Sequence, residues 1–417
     1  MRLGHCTLCP RACGADRRTG RGFCGGGALP RVARAALHQW EEPCISGTRG
    51  SGTVFFSGCP LRCCFCQNYR ISAENFGKEI SVGRLAEIFL ELQAQGAHNL
   101  NLVNPTHWAP WVVEAVERAR PALKIPVVCN SGGYESPETL ELLGKVADVW
   151  LPDLKYADAA RAARYSGAPD YFRAASSAIA EMFRQTGPVR FGVDGLLEKG
   201  LVIRHLVLPG GLHDSIAVLE WIAENLPLEE IRVSVMSQYT PFYRSGEFPE
   251  LGRRLSSYEY RRVLERAREL GVRGYMQEKS SAKEEYTPPF DLEGVKRHGV
   301  RIHRERQKQE GRGIPAAFSR AADAGWRRAA CGYAVQAACA AATRRRTGRA
   351  CAACVGGAGA WRRRAGFLEP ARAQKTPIAV KATSWRMHSQ REMPPVSHAP
   401  SEPRTKNAET TVSSWNR

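Results

Sequence analysis

The sequence predicts an α/β fold in which parallel strands alternate with helices, and three observations support this class. Short apolar runs typical of buried strands recur between about residue 33 and residue 294 of the 417-residue chain. Amphipathic segments with helical periodicity separate these runs, and cap signals mark where several helices begin. Strands joined in this way run parallel through helical crossovers, in an open sheet or in a curved barrel.

Six segments have the apolar character of buried strands. In chain order they are Thr53–Phe56, Asn99–Val103, Pro126–Cys129, Asp148–Leu151, Leu201–Leu208 and Arg232–Met236. Between them, one apolar helix face repeats at i, i+3, i+4 and i+7 and is followed by Gly96, which is placed to end that helix. Ser136 before Pro137 predicts another helix start, and Ser256 with Glu259 forms a capping-box pattern.

A cysteine-rich loop follows the first predicted strand. Cys59, Cys63 and Cys66 have the spacing C-x3-C-x2-C. Three thiols on one tight loop can bind three irons of an iron–sulfur cube and leave the fourth iron open to a substrate or cofactor. The spacing also allows a zinc knuckle or buried thiols, but zinc needs a fourth ligand nearby. Cys64 is poorly placed to be that ligand because it is adjacent to Cys63, and its role stays open.

The loop GCPLRCCFCQN resembles the signature of radical S-adenosylmethionine (SAM) enzymes, C-x3-C-x-aromatic-C. Residues 41–72 and the opening segment CTLCPRACGADRRTGRGFC resemble the branch of that superfamily related to pyruvate formate-lyase activating enzymes, and the similarity runs from about Cys6 to Phe290. The resemblance implies a partial (β/α)6 radical SAM barrel with the cluster loop after its first strand. It also implies a [4Fe–4S] cluster and SAM as cofactors.

The resemblance further implies roles for the residues of the loop. Cys59, Cys63 and Cys66 each ligate one iron, the open iron chelates SAM, and Phe65 lies beside the adenine. One electron from the cluster breaks the sulfur–C5′ bond of SAM, and the resulting 5′-deoxyadenosyl radical abstracts hydrogen from a substrate. The protein positions cofactor and substrate for this chemistry.

Polar residues follow the later strands at their C-terminal ends, where barrels of this kind carry reactive groups. The candidates for binding SAM are Asn104 and Thr106 after the second strand, Asn130 and Ser131 after the third, and Asp153 and Lys155 after the fourth. Relatives often carry Gly-Gly-Glu where this chain has Asn104 and Thr106. Asp153 and Lys155 are also the predicted catalytic pair, because strand alternation puts both on one face. An exposed ion pair at a strand end is the alternative.

A second cysteine group lies near the start of the chain, at Cys6, Cys9, Cys13 and Cys24. Four thiols at such spacing fit either tetrahedral zinc or a closed iron–sulfur cluster. A cluster would relay the electron that the first cluster needs, whereas zinc would brace the fold. We therefore predict a Cys-rich metal-binding module at residues 1–32 and a radical SAM core at residues 33–295.

Residues 296–417 are predicted to be a low-complexity, disordered basic tail. Residues 301–417 hold 23 of the 60 Lys and Arg but only 7 of the 41 Asp and Glu. The formal charge of +19 therefore belongs mainly to the tail, and residues 1–300 carry only +3. This distribution argues against nucleic acid as a partner of the core.

Compartment and function follow from these patterns. No apolar run approaches the roughly 20 residues that cross a membrane, no signal-peptide core is recognisable, and clustered cysteines indicate a reducing, cytoplasmic location. The leading hypothesis is a radical SAM enzyme, an oxidoreductase similar to pyruvate formate-lyase activating enzyme. Its expected partners are SAM, a reductant such as flavodoxin or ferredoxin, and a protein whose glycyl residue loses hydrogen. The alternatives are an RNA-modifying radical SAM enzyme and a non-enzymatic zinc or iron–sulfur protein.

Overall fold

A computed structural model of the chain describes residues 3–277 and 287–296. The tail predicted at residues 296–417 lies, apart from its first residue, outside the described residues. The division into module, core and tail stays a prediction.

The described residues contain ten strands. They are β1 (Arg31–His38), β2 (Ser51–Phe56), β3 (Lys78–Glu79), β4 (Leu100–Val103), β5 (Val127–Ser131), β6 (Val149–Pro152), β7 (Arg190–Phe191), β8 (Leu197–Leu206), β9 (Arg232–Met236) and β10 (Gly274–Met276).

Nine α-helices lie in the same described residues. They are α1 (Pro43–Ser46), α2 (Tyr69–Ser72), α3 (Val82–Ala94), α4 (Ala109–Ala119), α5 (Pro137–Gly144), α6 (Ala159–Ser166), α7 (Tyr171–Thr186), α8 (Leu212–Asn225) and α9 (Ser257–Glu269).

One sheet contains all these strands, in the order β10-β9-β8-β6-β5-β4-β2-β1-β3, with β7 paired to β8 beside this path. Neighbours from β2 to β10 are parallel, whereas β1 pairs antiparallel with both β2 and β3. All six predicted strands form, and β10 adds a short parallel strand. Because β10 and β3 stand at opposite ends of the order, the described sheet is not closed. The predicted α/β fold with a partial barrel of parallel strands is confirmed.

The predicted helix signals act as expected. In α3 the buried face contains Leu85, Ile88, Phe89 and Leu92. Gly96 follows α3 with φ +89°, a left-handed conformation that glycine adopts without strain. The hydroxyl of Ser136 accepts from the backbone N–H of Thr139 at the start of α5. Ser256 and Glu259 form the predicted capping box of α9.

The carboxyl ends of the parallel strands meet at one edge of the sheet, which is where the candidate site residues lie. The cluster loop leaves β2, and Asp153 follows β6 directly beside Arg204 of β8, to which it is bridged. In the part of the chain that the structure describes, no helix is long and apolar enough to span a membrane.

Candidate active site

The loop after β2 is held in place by main-chain hydrogen bonds. The N–H of Cys64 donates to the carbonyl of Tyr165 at 2.8 Å, and the carbonyl of Cys64 accepts from the N–H of Arg244 at 2.9 Å. Arg62 adopts a left-handed conformation with φ +51°, which turns the chain between Cys59 and Cys63. The loop is therefore fixed from two directions before any cofactor binds.

Each of the three predicted cluster thiols has a hydrogen-bond donor. The N–H of Leu61 points at the Cys59 sulfur at 3.4 Å. The hydroxyl of Ser166 donates to Cys63 at 2.9 Å, and that of Ser72 donates to Cys66 at 3.2 Å. Donors of this kind stabilise metal-bound thiolates and tune the reduction potential of a cluster.

The pKa values of the loop cysteines are also consistent with iron binding. Burial raises the pKa of Cys63, and burial raises the pKa of Cys66 to about 12, while the Lys155 ammonium opposes both shifts. Such thiols stay protonated unless a metal cation shares the charge. In residues 3–277 and 287–296, no three or more His, Cys, Asp or Glu side chains lie close enough to hold one metal ion. The loop supplies the three thiols of Cys59, Cys63 and Cys66, which is the donor set that three irons of a cluster take.

A cavity of about 110 Å³ lies against the loop. Its lining is Cys63, Phe65, Cys66, Gln67, Lys155, Leu206, Gln238, Tyr239, Thr240 and Phe242. The Phe65 ring meets the rings of Tyr156, Tyr165 and Tyr239 edge-on, with centroids 6.1–6.4 Å apart. This packing fixes Phe65 at the cavity wall.

Arg204 stands at the centre of a buried polar network at the strand ends. Its guanidinium donates to Glu41 at 3.1 Å, to Asp153 at 3.0 Å and to the amide oxygen of Asn130 at 2.6 Å. The Asn130 amide in turn donates to Glu41 at 3.3 Å. Arg204 thereby connects its own segment of the chain with the segments that contain Glu41, Asn130 and Asp153.

Asp153 and Lys155 form the ion pair that strand alternation predicts. Burial opposes ionisation of Asp153, but Lys155 and Arg204 lower its pKa. Burial likewise opposes the charge on Lys155, but Asp153 and Cys63 raise its pKa. Both groups are therefore charged at neutral pH. The pair is less than one-fifth exposed, which contradicts the alternative of an exposed ion pair.

A larger cavity of about 180 Å³ adjoins the first. The two cavities share Gln67, Lys155, Leu206 and Gln238 in their linings. The larger one is further lined by His38, Trp40, Glu41, Phe55, Asn68, Val103, Asn130, Asp153, Arg204, Met236 and Pro288. A molecule in the larger cavity would therefore lie next to a molecule held at the cluster loop.

The remaining candidates lie elsewhere at the strand ends. Asn104, with φ +56°, donates to the carbonyl of Gly58 at 3.4 Å, next to the cluster loop. The hydroxyl of Thr106 donates to Glu135 at 2.7 Å, and the Ser131 hydroxyl accepts from the N–H of Gly133 at 3.3 Å. The structure thus brings Asn130, Asp153 and Lys155 together but groups Thr106 and Ser131 around Glu135.

Two acidic residues of the site went unrecognised in the sequence. Glu41 pairs with Arg204, and Glu135 is 3% exposed, with one carboxylate oxygen lacking any hydrogen-bond partner in the described residues. Burial raises the pKa of Glu135 to about 7. Glu41 begins the segment 41–72 and Glu135 stands in no motif, and no local pattern distinguishes either from a surface carboxylate.

The second cysteine group lies beside the first. Cys6, Cys9 and Cys24 are buried and Cys13 is exposed. The carbonyl of Cys24 accepts a hydrogen bond from the N–H of Cys59 at 3.1 Å. The two cysteine groups are therefore joined through their main chains.

The chain is similar in sequence to known proteins. Residues 53–195 match the Radical SAM superfamily. An uncharacterized protein of Methanocaldococcus jannaschii is 30% identical over 279 residues, which cover 63% of this chain and 74% of that protein.

The chain is also similar to solved structures, including these two. A domain of pyruvate-formate lyase-activating enzyme from Bacteroides vulgatus is 11% identical, with a TM-score of 0.32, covering 44% of this chain and all of that one. Streptococcus suis SuiB bound to S-adenosylmethionine is 16% identical, with a TM-score of 0.38, covering 53% of this chain and 48% of that one. On the superfamily match and the identity to the archaeal relative, the chain belongs to the radical SAM superfamily, whose cofactors are a [4Fe–4S] cluster and SAM.

Proposed function

We propose that this protein is a radical SAM enzyme that removes a hydrogen atom from a glycyl residue of a partner protein. The observation that carries the proposal is the adjoining pair of cavities, one at the cluster loop and one lined by carboxamides and charged groups. The shared lining residues Lys155 and Gln238 mark where cofactor and substrate would meet. The substrate test described below decides whether the reaction is of the activating-enzyme type.

The residues of the smaller cavity have separate tasks in this proposal. Cys59, Cys63 and Cys66 hold the cluster, and Phe65 forms the wall beside the adenine. Lys155 and Asp153 offer one positive and one negative group to the carboxylate and ammonium of the methionine end of SAM. A cluster held by these thiols would supply the one electron that makes SAM a source of a hydrogen-abstracting radical, and these residues would place SAM and substrate side by side.

The larger cavity suits a peptide backbone. Gln67, Asn68, Asn130 and Gln238 in its lining are carboxamides, which both donate and accept hydrogen bonds. A glycyl segment carries the complementary N–H and C=O groups and no side chain to exclude. Trp40, which is 57% exposed, lies in the same lining and offers an apolar contact to a partner protein.

The proposed electron donor is a one-electron carrier such as flavodoxin or ferredoxin, in the cytoplasm. The buried thiols and the ring-lined wall around Phe65 limit water near the loop, which protects a radical from side reactions. The reductant must therefore reach the cluster from outside the substrate cavity.

The test is anaerobic reconstitution followed by incubation with SAM, dithionite and glycine-containing peptides labelled with deuterium at Cα. We expect 5′-deoxyadenosine to form and to carry deuterium, with an electron paramagnetic resonance (EPR) signal of a glycyl radical on the peptide. Peptides with alanine in place of the glycine are the matched control. Formation of 5′-deoxyadenosine without deuterium from any peptide would reject the substrate class. Deuterium transfer from labelled RNA in a parallel reaction would favour the RNA-modifying alternative.

A further inference from the structure

Two glutamines stand where the two cavities of the site meet. Gln67 and Gln238 belong to the lining of both cavities, together with Lys155 and Leu206. A glutamine side chain ends in a carbonyl oxygen, which accepts hydrogen bonds, and an amino group, which donates them. Which of these groups faces a ligand depends on what holds the other. The structure holds the two glutamines in opposite senses.

A chain of hydrogen bonds sets the orientation of Gln238. The main-chain N–H of Ser237, which can only donate, donates to the side-chain carbonyl oxygen of Gln277 at 3.1 Å. The amino group of Gln277 therefore points the other way and donates to the carbonyl oxygen of Gln238 at 3.0 Å. This leaves the amino group of Gln238 for a ligand, because the Met236 sulfur 4.0 Å from it is only a weak acceptor.

Gln67 is held the other way round. Its amino group donates to the hydroxyl of Thr287, so its carbonyl oxygen is turned away from that residue. Among the described residues, no donor forms a hydrogen bond with this carbonyl oxygen. Gln67 and Gln238 thus present one acceptor and one donor at the place where the cavities meet.

Thr287 is the first residue of a strap, residues 287–296, that is tied to strand β1. The guanidinium of Arg34 in β1 donates to the carbonyl of Pro289 at 3.0 Å and to the carboxylate of Asp291 at 2.8 Å. Arg34 is mostly buried, so solvent weakens these bonds little. The partner of Gln67 therefore has a fixed position.

The strap is also fixed to β2 and α3. The buried ring of Phe290 meets Phe55 of β2 edge-on, with centroids 5.7 Å apart. Arg84 of α3 donates to the carbonyl of Gly294 at 3.0 Å. The second residue of the strap, Pro288, lines the larger cavity. The strap is thus both a wall of that cavity and the support for the orientation of a glutamine in it.

A peptide backbone offers the complement of the two glutamines. Each peptide unit of a residue other than proline carries one N–H, which donates, and one C=O, which accepts. The carbonyl of Gln67 matches the first group, and the amino group of Gln238 matches the second. The phosphates of a nucleic acid only accept, so they match Gln238 but not Gln67. The pair therefore favours a peptide over RNA.

We propose that Gln67 and Gln238 recognise the backbone of the peptide substrate, Gln67 by accepting from an N–H and Gln238 by donating to a C=O. Thr287 and Gln277 are positioning residues that set the two side-chain amides in opposite senses. The inference rests on the proposed function, because it takes the substrate to be a peptide. It concerns binding, however, and not the transfer of hydrogen.

The first experiment measures binding to the reconstituted wild-type protein with SAM but without a reductant, so that no turnover occurs. The probes are acetyl-tetraglycine dimethylamide and acetyl-tetrasarcosine dimethylamide, which has a methyl group in place of each N–H hydrogen. Calorimetry should show at least about tenfold tighter binding of the tetraglycine probe, because only this probe can donate to Gln67.

The outcomes separate this inference from the proposed function. Equal affinity for the two probes, or no binding of the tetraglycine probe, would overturn the inference even if labelled peptides transfer deuterium. A preference for tetraglycine without deuterium transfer from any peptide would support the inference and reject the proposed hydrogen abstraction.

The second experiment changes Thr287. Thr287→Val keeps the shape of the side chain but removes the hydroxyl that holds Gln67, so the preference for tetraglycine should fall below about threefold. Thr287→Ser keeps the hydroxyl and should retain the preference. Thr48→Val, at an exposed threonine before β2, is the matched control and should retain it too. An undiminished preference in Thr287→Val would reject the role of Thr287.

The third experiment changes Gln277. In Gln277→Glu the carboxylate still accepts from Ser237 but cannot donate, so the amide of Gln238 should turn its carbonyl oxygen towards the cavity. Both probes carry C=O groups, so both should bind about tenfold more weakly while the preference for tetraglycine remains. Gln95→Glu adds the same charge at an exposed glutamine and should leave both affinities unchanged.

Unchanged affinities in Gln277→Glu would reject the assignment of Gln238 as the donor. Each variant is compared at the iron content of the wild type, which separates lost binding from lost structure. If a variant does not fold, the comparison of the two probes on the wild-type protein decides the question alone.

Discussion

Arg204 donates a hydrogen bond to Glu41 at 3.1 Å, across 163 residues of sequence. Because Arg204 also bonds Asp153, it fixes the position of the carboxylate that we assign to SAM. Both Arg204 and Glu41 are less than one-fifth exposed, so solvent screens the contact little. The position of Asp153 thus depends on Arg204, whose own position is held by Glu41.

We predict that Arg204→Ala destabilises the protein by about 3–5 kcal/mol, because it leaves Glu41 without its cation and Asp153 with Lys155 alone. Thermal unfolding under anaerobic conditions measures this loss. Arg184→Ala is the matched control, since Arg184 forms an exposed pair with Glu181 and should leave the unfolding midpoint unchanged. Equal destabilisation by both variants would contradict the role of the network.

A second prediction concerns Lys155. The Lys155→Met variant should keep the iron content of the wild type but bind SAM about tenfold or more weakly, since it loses a charge-assisted hydrogen bond to the cofactor. Equilibrium dialysis with labelled SAM measures this affinity directly. The exposed Lys145→Met substitution should change neither quantity. Lost iron in Lys155→Met would mean that the lysine stabilises the cluster loop rather than SAM.

The role of Cys64, open in the sequence, becomes a third prediction. Its main chain anchors the loop to Tyr165 and Arg244, whereas Cys63 and Cys66 line the smaller cavity. We expect Cys64→Ala to retain the wild-type iron content, because alanine preserves both main-chain bonds. Cys63→Ala should lose the SAM-binding cluster. Iron analysis after anaerobic reconstitution tests both, and iron loss in Cys64→Ala would assign a ligand role to that thiol.

Local signals explain why much of the fold could be predicted. The six parallel strands are short apolar runs, and Ser136 and Ser256 mark helix starts through contacts within one turn. Strand β1 was not predicted, because the segment RVARAALH contains two arginines and does not alternate between buried and exposed residues. Strand β1 is buried because it pairs with β2 on one side and with β3 on the other. These long-range contacts leave no local sequence pattern.

The site was less predictable for a related reason. The cluster cysteines are recognisable from spacing, and the Asp153–Lys155 pair from strand alternation. The Ser166 hydroxyl, by contrast, lies 103 residues from the Cys63 sulfur to which it donates. No sequence pattern marks Ser166 as this donor, because only the folded sheet brings it close to Cys63.

The last prediction uses the buried carboxylate of Glu135. Its pKa is raised from 4.5 to about 7 in the folded protein, chiefly by burial. As the pH rises from 4.5 to 7, the unfolded chain loses this proton first, so the free energy of unfolding falls across that window. Glu135→Gln removes this dependence, and at pH 8 it should raise the unfolding midpoint by at least about 2 °C.

Thermal unfolding from pH 4 to pH 8 checks the sign of this effect. The advantage of Glu135→Gln should grow as the pH rises through the window and stay constant above it, because no further proton is released. Glu138→Gln changes an exposed carboxylate three residues away and should leave the wild-type profile unchanged. If Glu135→Gln is least favourable at high pH, the carboxylate is needed in its charged form, and its partner-free oxygen must then face a cation or an ammonium group.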